Sequence, residues 1–170
     1  LRGEPLVGYT IKQALQSQLI DEVYVSTDRP EIQSYAERCG ARAPFLRPPE
    51  LSRDEVHGSV PILHMLEQLG GDRTYAYCVQ LLPTSPFKTA RTMDAIIQCS
   101  MERHANVLSV TPTGKILFHL RILAANGVLE PIAGHTGYNL QTQDSPELFA
   151  LNGAIYCAPV EEVLAHRTFQ

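Results

Sequence analysis

Ala76-Tyr-Cys-Val-Gln-Leu-Leu-Pro-Thr-Ser-Pro-Phe-Lys-Thr89 sets an apolar, β-forming run against a Pro-Thr-Ser-Pro turn, and a helical pattern starts just after it, near Ala90. Strand, polar loop, then helix is the order in which a buried parallel strand delivers a loop to the edge of an α/β sheet. Ligands of open α/β sheets bind at such carboxyl ends. Pro83 and Pro86 stiffen the turn, while Thr84 and Ser85 bring hydroxyls and N–H groups to a helix start, where phosphate oxygens sit favourably. The same two residues also suit a plain capping role.

Upstream of this stretch, Leu6, Tyr9, Ile11, Leu15 and Leu19 recur at helical intervals and predict a helix over 6–18. Glu22 to Ser26 predicts a strand, and Asp28, Pro30 and Glu31 mark a second helix that Gly40 ends. Asp28 reads as the cap of that helix, with a ligand-facing carboxylate as the alternative. Pro44, Pro48 and Pro49 hold their segment extended and place Arg47 in a loop. There it is either a ligand contact or a surface arginine paired with Glu50 or Asp54. Ser59 stands at the start of a helix over 60–69, which Gly70 and Gly71 break.

Downstream, 90–103 predicts a helix and 106–110 a strand. Three strand–helix alternations with short connections predict an α/β fold: a Rossmann-like three-layer core around a mostly parallel sheet. The alternation then stops. Ile116 to Leu123 and Asn126 to Pro131 predict a β-hairpin. Asn152-Gly153 predicts a tight turn feeding a strand through Tyr156, and 159–166 a last short helix.

Composition narrows the function classes. A chain of 170 residues with 44% hydrophobic and 19% charged residues suits one globular domain. Its net charge of −4 argues against a general nucleic-acid or membrane-surface binder, so a polyanionic ligand must be held locally. No apolar run approaches the roughly 18 residues of a membrane span, and no signal-peptide pattern opens the chain, so the cytoplasm is the expected location. Cys39, Cys78, Cys99 and Cys157 are scattered without metal-ligand spacing and read as small buried or half-buried thiols. No carboxylate pair has a Mg²⁺-binding spacing, since Asp54/Glu55 and Glu161/Glu162 read as solvated charges.

Val25-Ser-Thr-Asp28, Phe45-Leu-Arg-Pro-Pro-Glu-Leu51, Leu82-Pro-Thr-Ser-Pro86 and Asn152-Gly-Ala-Ile-Tyr156 follow one another in an order and spacing that resembles the CMP-N-acetylneuraminate synthetase family, the acylneuraminate cytidylyltransferases. The resemblance runs from about Leu1 to about Phe169. It implies a single nucleotidyltransferase domain over 1–170 that joins CMP from CTP to a sialic acid or related nonulosonic acid and releases pyrophosphate. Arg47, Ser59, Thr84 and Ser85 would then meet the nucleotide. Gln80, His119, Gln143, Asn152, Gly153 and Tyr156 would line the acid sugar. The hairpin would be an arm that embraces a second subunit, making a homodimer.

The departures from the family pattern concern the sugar. Leu82 replaces the glutamine usual before the Pro-Thr-Ser-Pro turn, and Gln80 lies on the same strand face about 6 to 7 Å further away. Thr142 replaces an arginine, and a bidentate carboxylate partner is not conservatively lost. His119 stands where relatives carry lysine, although a histidine between Phe118 and Leu120 also suits a half-exposed strand position. The resemblance further implies Mg²⁺ on the phosphates. Its ligands, like a Gly- and Lys-containing phosphate loop, are expected outside this chain, which opens on Leu1 without an initiator methionine. The 170 residues alone are therefore expected to be inactive. Another sugar or sugar 1-phosphate as acceptor, and a non-catalytic dimeric homologue, are the competing readings.

Overall fold

The computed structural model describes residues 1–113, 121–125, 127–131 and 147–169. It divides into two compact units, one of Leu1–Ser109 with Gly153–Gln170 and one of Val110–Asn152.

In the first unit, α1 (Leu6–Ala14), α2 (Pro30–Arg38) and α3 (Val60–Gln68) precede strand β1 (Tyr77–Leu81), and α4 (Ala90–Arg103) follows it. Strand β2 (Val107–Pro112) leads out, strand β5 (Phe149–Pro159) returns, and α5 (Val160–His166) closes the chain. β5 lies between β1 and β2. Its period-two alternation separates two apolar layers. Ile155 packs with Ala14 of α1 and Met93 of α4, whereas Ala158 packs with Leu63 and Leu66 of α3 and Val163 of α5. Helices thus cover both faces of the sheet, the three-layer arrangement that the alternation predicts.

The parallel character of the sheet is only partly as expected. The expected strand over Glu22 to Ser26 is instead a single isolated parallel bridge between Tyr24 and Arg42, outside the three-stranded sheet, and Arg47 N–H donates to Thr27 O at 2.7 Å. β1 and β5, by contrast, run antiparallel, in register from Tyr77 opposite Pro159 to Leu81 opposite Ile155. Among the described residues, two short strands and no helix stand between β2 and β5, and an antiparallel partner needs no helical crossover.

Three other local readings shift for nonlocal reasons. α1 ends at Ala14 rather than near Gln18, because Ser17 Oγ accepts the N–H groups of Leu19 and Ile20 at 3.1 Å each and itself donates to Asp94 of α4. Asp28 does not cap α2, whose cap position is Arg29 with no side-chain bond. Asn152-Gly153 forms no turn. It lies inside the eleven-residue β5, where Gly153 takes φ +71.

In the second unit, β3 (Arg121–Leu123) and β4 (Leu129–Pro131) form an antiparallel hairpin closed by Ala124 N–H to Val128 O at 2.9 Å. Of the expected hairpin strands, Ile116 to Leu123 and Asn126 to Pro131, residues 116–120 and 126 lie outside the described residues. No helix among the described residues is long and apolar enough to cross a membrane.

Candidate functional site

The Pro83–Pro86 turn leaves the carboxyl end of β1 and enters α4 through Thr89, whose Oγ1 accepts Thr92 N–H at 3.2 Å. Gln13 Oε1 takes Ala90 N–H at 3.1 Å. Two of the first amide groups of α4 are therefore already occupied, and any anion held here must rely on the turn itself more than on the helix end. Ser85 N–H closes the turn onto Leu82 O at 3.2 Å. Thr84 is exposed, and neither its hydroxyl nor that of Ser85 is bonded among the described residues.

Beside the turn, Gln80 and Tyr156 sit directly opposite each other on β1 and β5, on one face of the sheet. The backbone of Gly153 approaches from the same strand, and a Cβ there would meet Leu82 Cδ1 at 3.2 Å and Tyr156 Oη at 3.9 Å. Leu82, which occupies the expected glutamine position, is thus packed by a glycine that leaves it room. Gln80, Gly153, Tyr156, Thr84 and Ser85 consequently gather around one end of β1.

Arg47 and Ser59 belong to two further sets. Arg47 Nη2 lies 3.9 Å from Asp28 Oδ1, and its Nε donates to Ser52 Oγ at 2.9 Å. Ser52 Oγ in turn donates to Pro48 O at 3.2 Å. The guanidinium is half-buried and oriented, which is the preorganised state a ligand contact needs, and its partner is Asp28 rather than Glu50 or Asp54. Ser59 stands at the cap position of α3, but its Oγ pairs with His57 Nδ1 at 2.9 Å instead of capping. Asn152 Nδ2 donates to Thr111 Oγ1 at 3.1 Å within the second unit. His119 and Gln143 lie outside the described residues.

Lys88 was missed by sequence reasoning. It is only 7% exposed, and its Nζ donates to Leu82 O at 2.6 Å and Ser85 O at 2.7 Å. Burial pushes its ammonium down to about 8. A signal was present, because a cation directly before a helix start opposes the helix dipole and calls for some other partner. The cysteines are free, and burial pushes the Cys78 thiol up to about 12, which makes it unreactive packing.

Among the described residues no group of three or more His, Cys, Asp and Glu side chains is placed to hold a metal ion.

The chain as a whole is matched by known proteins. The sequence pattern of the cytidylyltransferase family covers residues 1–156. The chain belongs to the cytidylyltransferase family. It is 29% identical over 172 residues to a CMP-N,N'-diacetyllegionaminic acid synthase of Legionella pneumophila, covering 99% of this chain and 73% of that protein. It is 31% identical over 171 residues to an N-acylneuraminate cytidylyltransferase of Escherichia coli, spanning 99% of this chain but only 39% of that longer protein. Among solved structures, a CMP:2-keto-3-deoxy-manno-octonic acid synthetase complexed with CTP superposes with a TM-score of 0.69 at 15% identity, over 97% of this chain and 67% of that one. That likeness establishes the fold.

Proposed function

We propose that the protein joins CMP from CTP to a sialic acid or related nonulosonic acid, with release of pyrophosphate. The observation that carries this reading is the cytidylyltransferase pattern over 1–156, which takes in the Pro83–Pro86 turn at the end of β1. The sugar hydroxyl attacks the α-phosphorus, and pyrophosphate departs on the opposite side. Such a step asks the protein mainly for in-line positioning and for stabilisation of phosphate charge.

In this reading Arg47 neutralises part of the nucleotide's charge, held for that task by Asp28 and Ser52. Thr84 and Ser85 offer unbonded hydroxyls, and Ser59 offers one turned toward His57. Gln80, Gly153 and Tyr156 border the acceptor, with His119, Gln143 and Asn152 as further candidates from the sequence. Mg²⁺ would supply charge neutralisation at the phosphates and would need carboxylates beyond the described residues. A second copy of the chain, embraced through the hairpin, makes the working dimer. Leu82 and Thr142, standing where glutamine and arginine are usual, favour an acid sugar other than the commonest sialic acid, and leave room for a sugar 1-phosphate.

Titration calorimetry of the full-length protein with CTP, GTP, ATP and UTP in the presence of Mg²⁺ tests the reading. CTP should bind selectively, and Arg47→Ala should weaken it roughly ten- to a hundredfold, the usual loss for a charge-assisted contact. Preference for another triphosphate, or no binding at all, would overturn it. Pyrophosphate release across a panel of acid sugars then identifies the acceptor.

A further inference from the structure

Lys88 is buried, yet no carboxylate pairs with it among the described residues. An ammonium withdrawn from water without a counter-charge is costly, and its place directly before Thr89, the cap of α4, adds the unfavourable end of a helix dipole. What the fold obtains in return is local. The ammonium bridges Leu82 O and Ser85 O, at 2.6 and 2.7 Å, across the base of the Pro-Thr-Ser-Pro turn. Ser85 N–H reaches the same Leu82 carbonyl from above, at 3.2 Å. With those two acceptors taken up from inside, the groups the turn leaves unbonded include the hydroxyls of Thr84 and Ser85.

We propose that Lys88 is a positioning residue of the nucleotide site, holding the Pro83–Pro86 turn in the one conformation in which Thr84 and Ser85 donate to the phosphates of a nucleoside triphosphate. It does not itself touch the ligand, being enclosed beneath the turn. Its contribution is to fix the turn's carbonyls inward before binding, so that the ligand pays no ordering cost for them. The inference rests on the reading of the protein as a CTP-dependent transferase.

The test compares CTP and cytidine binding, each with Mg²⁺, by full-length wild-type protein and by the variants Lys88→Met and Lys88→Arg, with a thermal melt to check folding. Lys88→Met should raise the Kd for CTP roughly tenfold or more, the usual scale for charge-assisted hydrogen bonds, while leaving cytidine unchanged. Lys88→Arg, which keeps donors for both carbonyls, should recover most of the CTP affinity. Equal weakening of CTP and cytidine, or unchanged CTP binding by Lys88→Met, overturns the proposal while the transferase reading stands. Failure of the wild type to bind CTP removes both. Should Lys88→Met not fold, hydrogen exchange at Lys88 Nζ in the wild type decides: slow exchange, slowed further by CTP, supports the proposal, and solvent-rate exchange overturns it.

Discussion

Met93 and Leu129 are both large apolar residues, but the regions that carry them treat such side chains in opposite ways. Met93, on α4, is wholly buried against Ala14 and Ile155. Leu129, in the hairpin, is 64% exposed, and Ile122, Leu123 and Val128 are likewise open. The first unit therefore draws its stability from its own core, with helices pressed on both faces of β5. The described hairpin has three paired residues per strand and little buried surface, a combination that is marginal in isolation. Its exposed apolar side chains suit the arm of the proposed dimer better than a self-sufficient fold.

The most direct way to break that comparison is Met93→Ala. Loss of a fully buried methionine should cost about 2–5 kcal/mol by denaturant unfolding, since transfer and cavity terms add. A loss under about 1 kcal/mol would mean that α4 is not pressed on β5 as described.

A second effect sharpens the contrast within the core, because the buried Lys88 makes one part of it pH-sensitive. Its folded-state value, about 8, lies below the roughly 10.4 of an unfolded lysine. Between those two values the unfolded chain binds more protons than the folded one, so Lys88's contribution to stability rises with pH. Below about pH 8 both states are protonated and the contribution is flat. The stability of wild type minus that of Lys88→Met should thus climb between about pH 8 and 10.4, followed by chemical unfolding at several pH values. A flat or falling difference would show that the ammonium is solvated in the folded protein.

Gly153→Ala comes third. At φ +71 a side chain costs roughly 1–2 kcal/mol, and the added Cβ would press on Leu82 Cδ1, 3.2 Å away. Unfolding measurements should show that loss, and Leu82 should shift its methyl resonances. Neither change would occur if β5 were regular at this point.

These positions also divide what local sequence conveys from what it does not. The start and end of α4 were readable because their causes are local: Thr89 caps the first turn, and His104 takes φ +47 after the last. Gly40 and Gly70, at φ +94 and +93, end their helices in the same way. The early end of α1 was not readable, because Asp94, some eighty positions on by sequence, takes up Ser17 and the N–H of Gln18. Nor was the strand placement of Asn152-Gly153, since incorporation into the long sheet strand β5 overrides a dipeptide's preference for turns. For the site, the turn and Arg47 were legible as motifs, whereas the Asp28–Arg47 pair and the reach of Lys88 under the turn depend on tertiary contacts.

The smallest expected effect on stability belongs to the other region. Replacing Leu123 and Leu129 by serine removes side chains that are 68% and 64% exposed, so the unfolding free energy of the core should change by no more than about 0.5 kcal/mol. Association is where the substitution should be felt. If the hairpin packs on a second copy, sedimentation of the full-length double variant should show a monomer at concentrations where wild type is a dimer. A dimer that survives the change would place the subunit contact elsewhere and leave the exposed apolar stripe of β3 and β4 without that role. A core destabilised by several kcal/mol would undo the contrast itself, because these side chains would then be supporting the first unit rather than waiting for a partner.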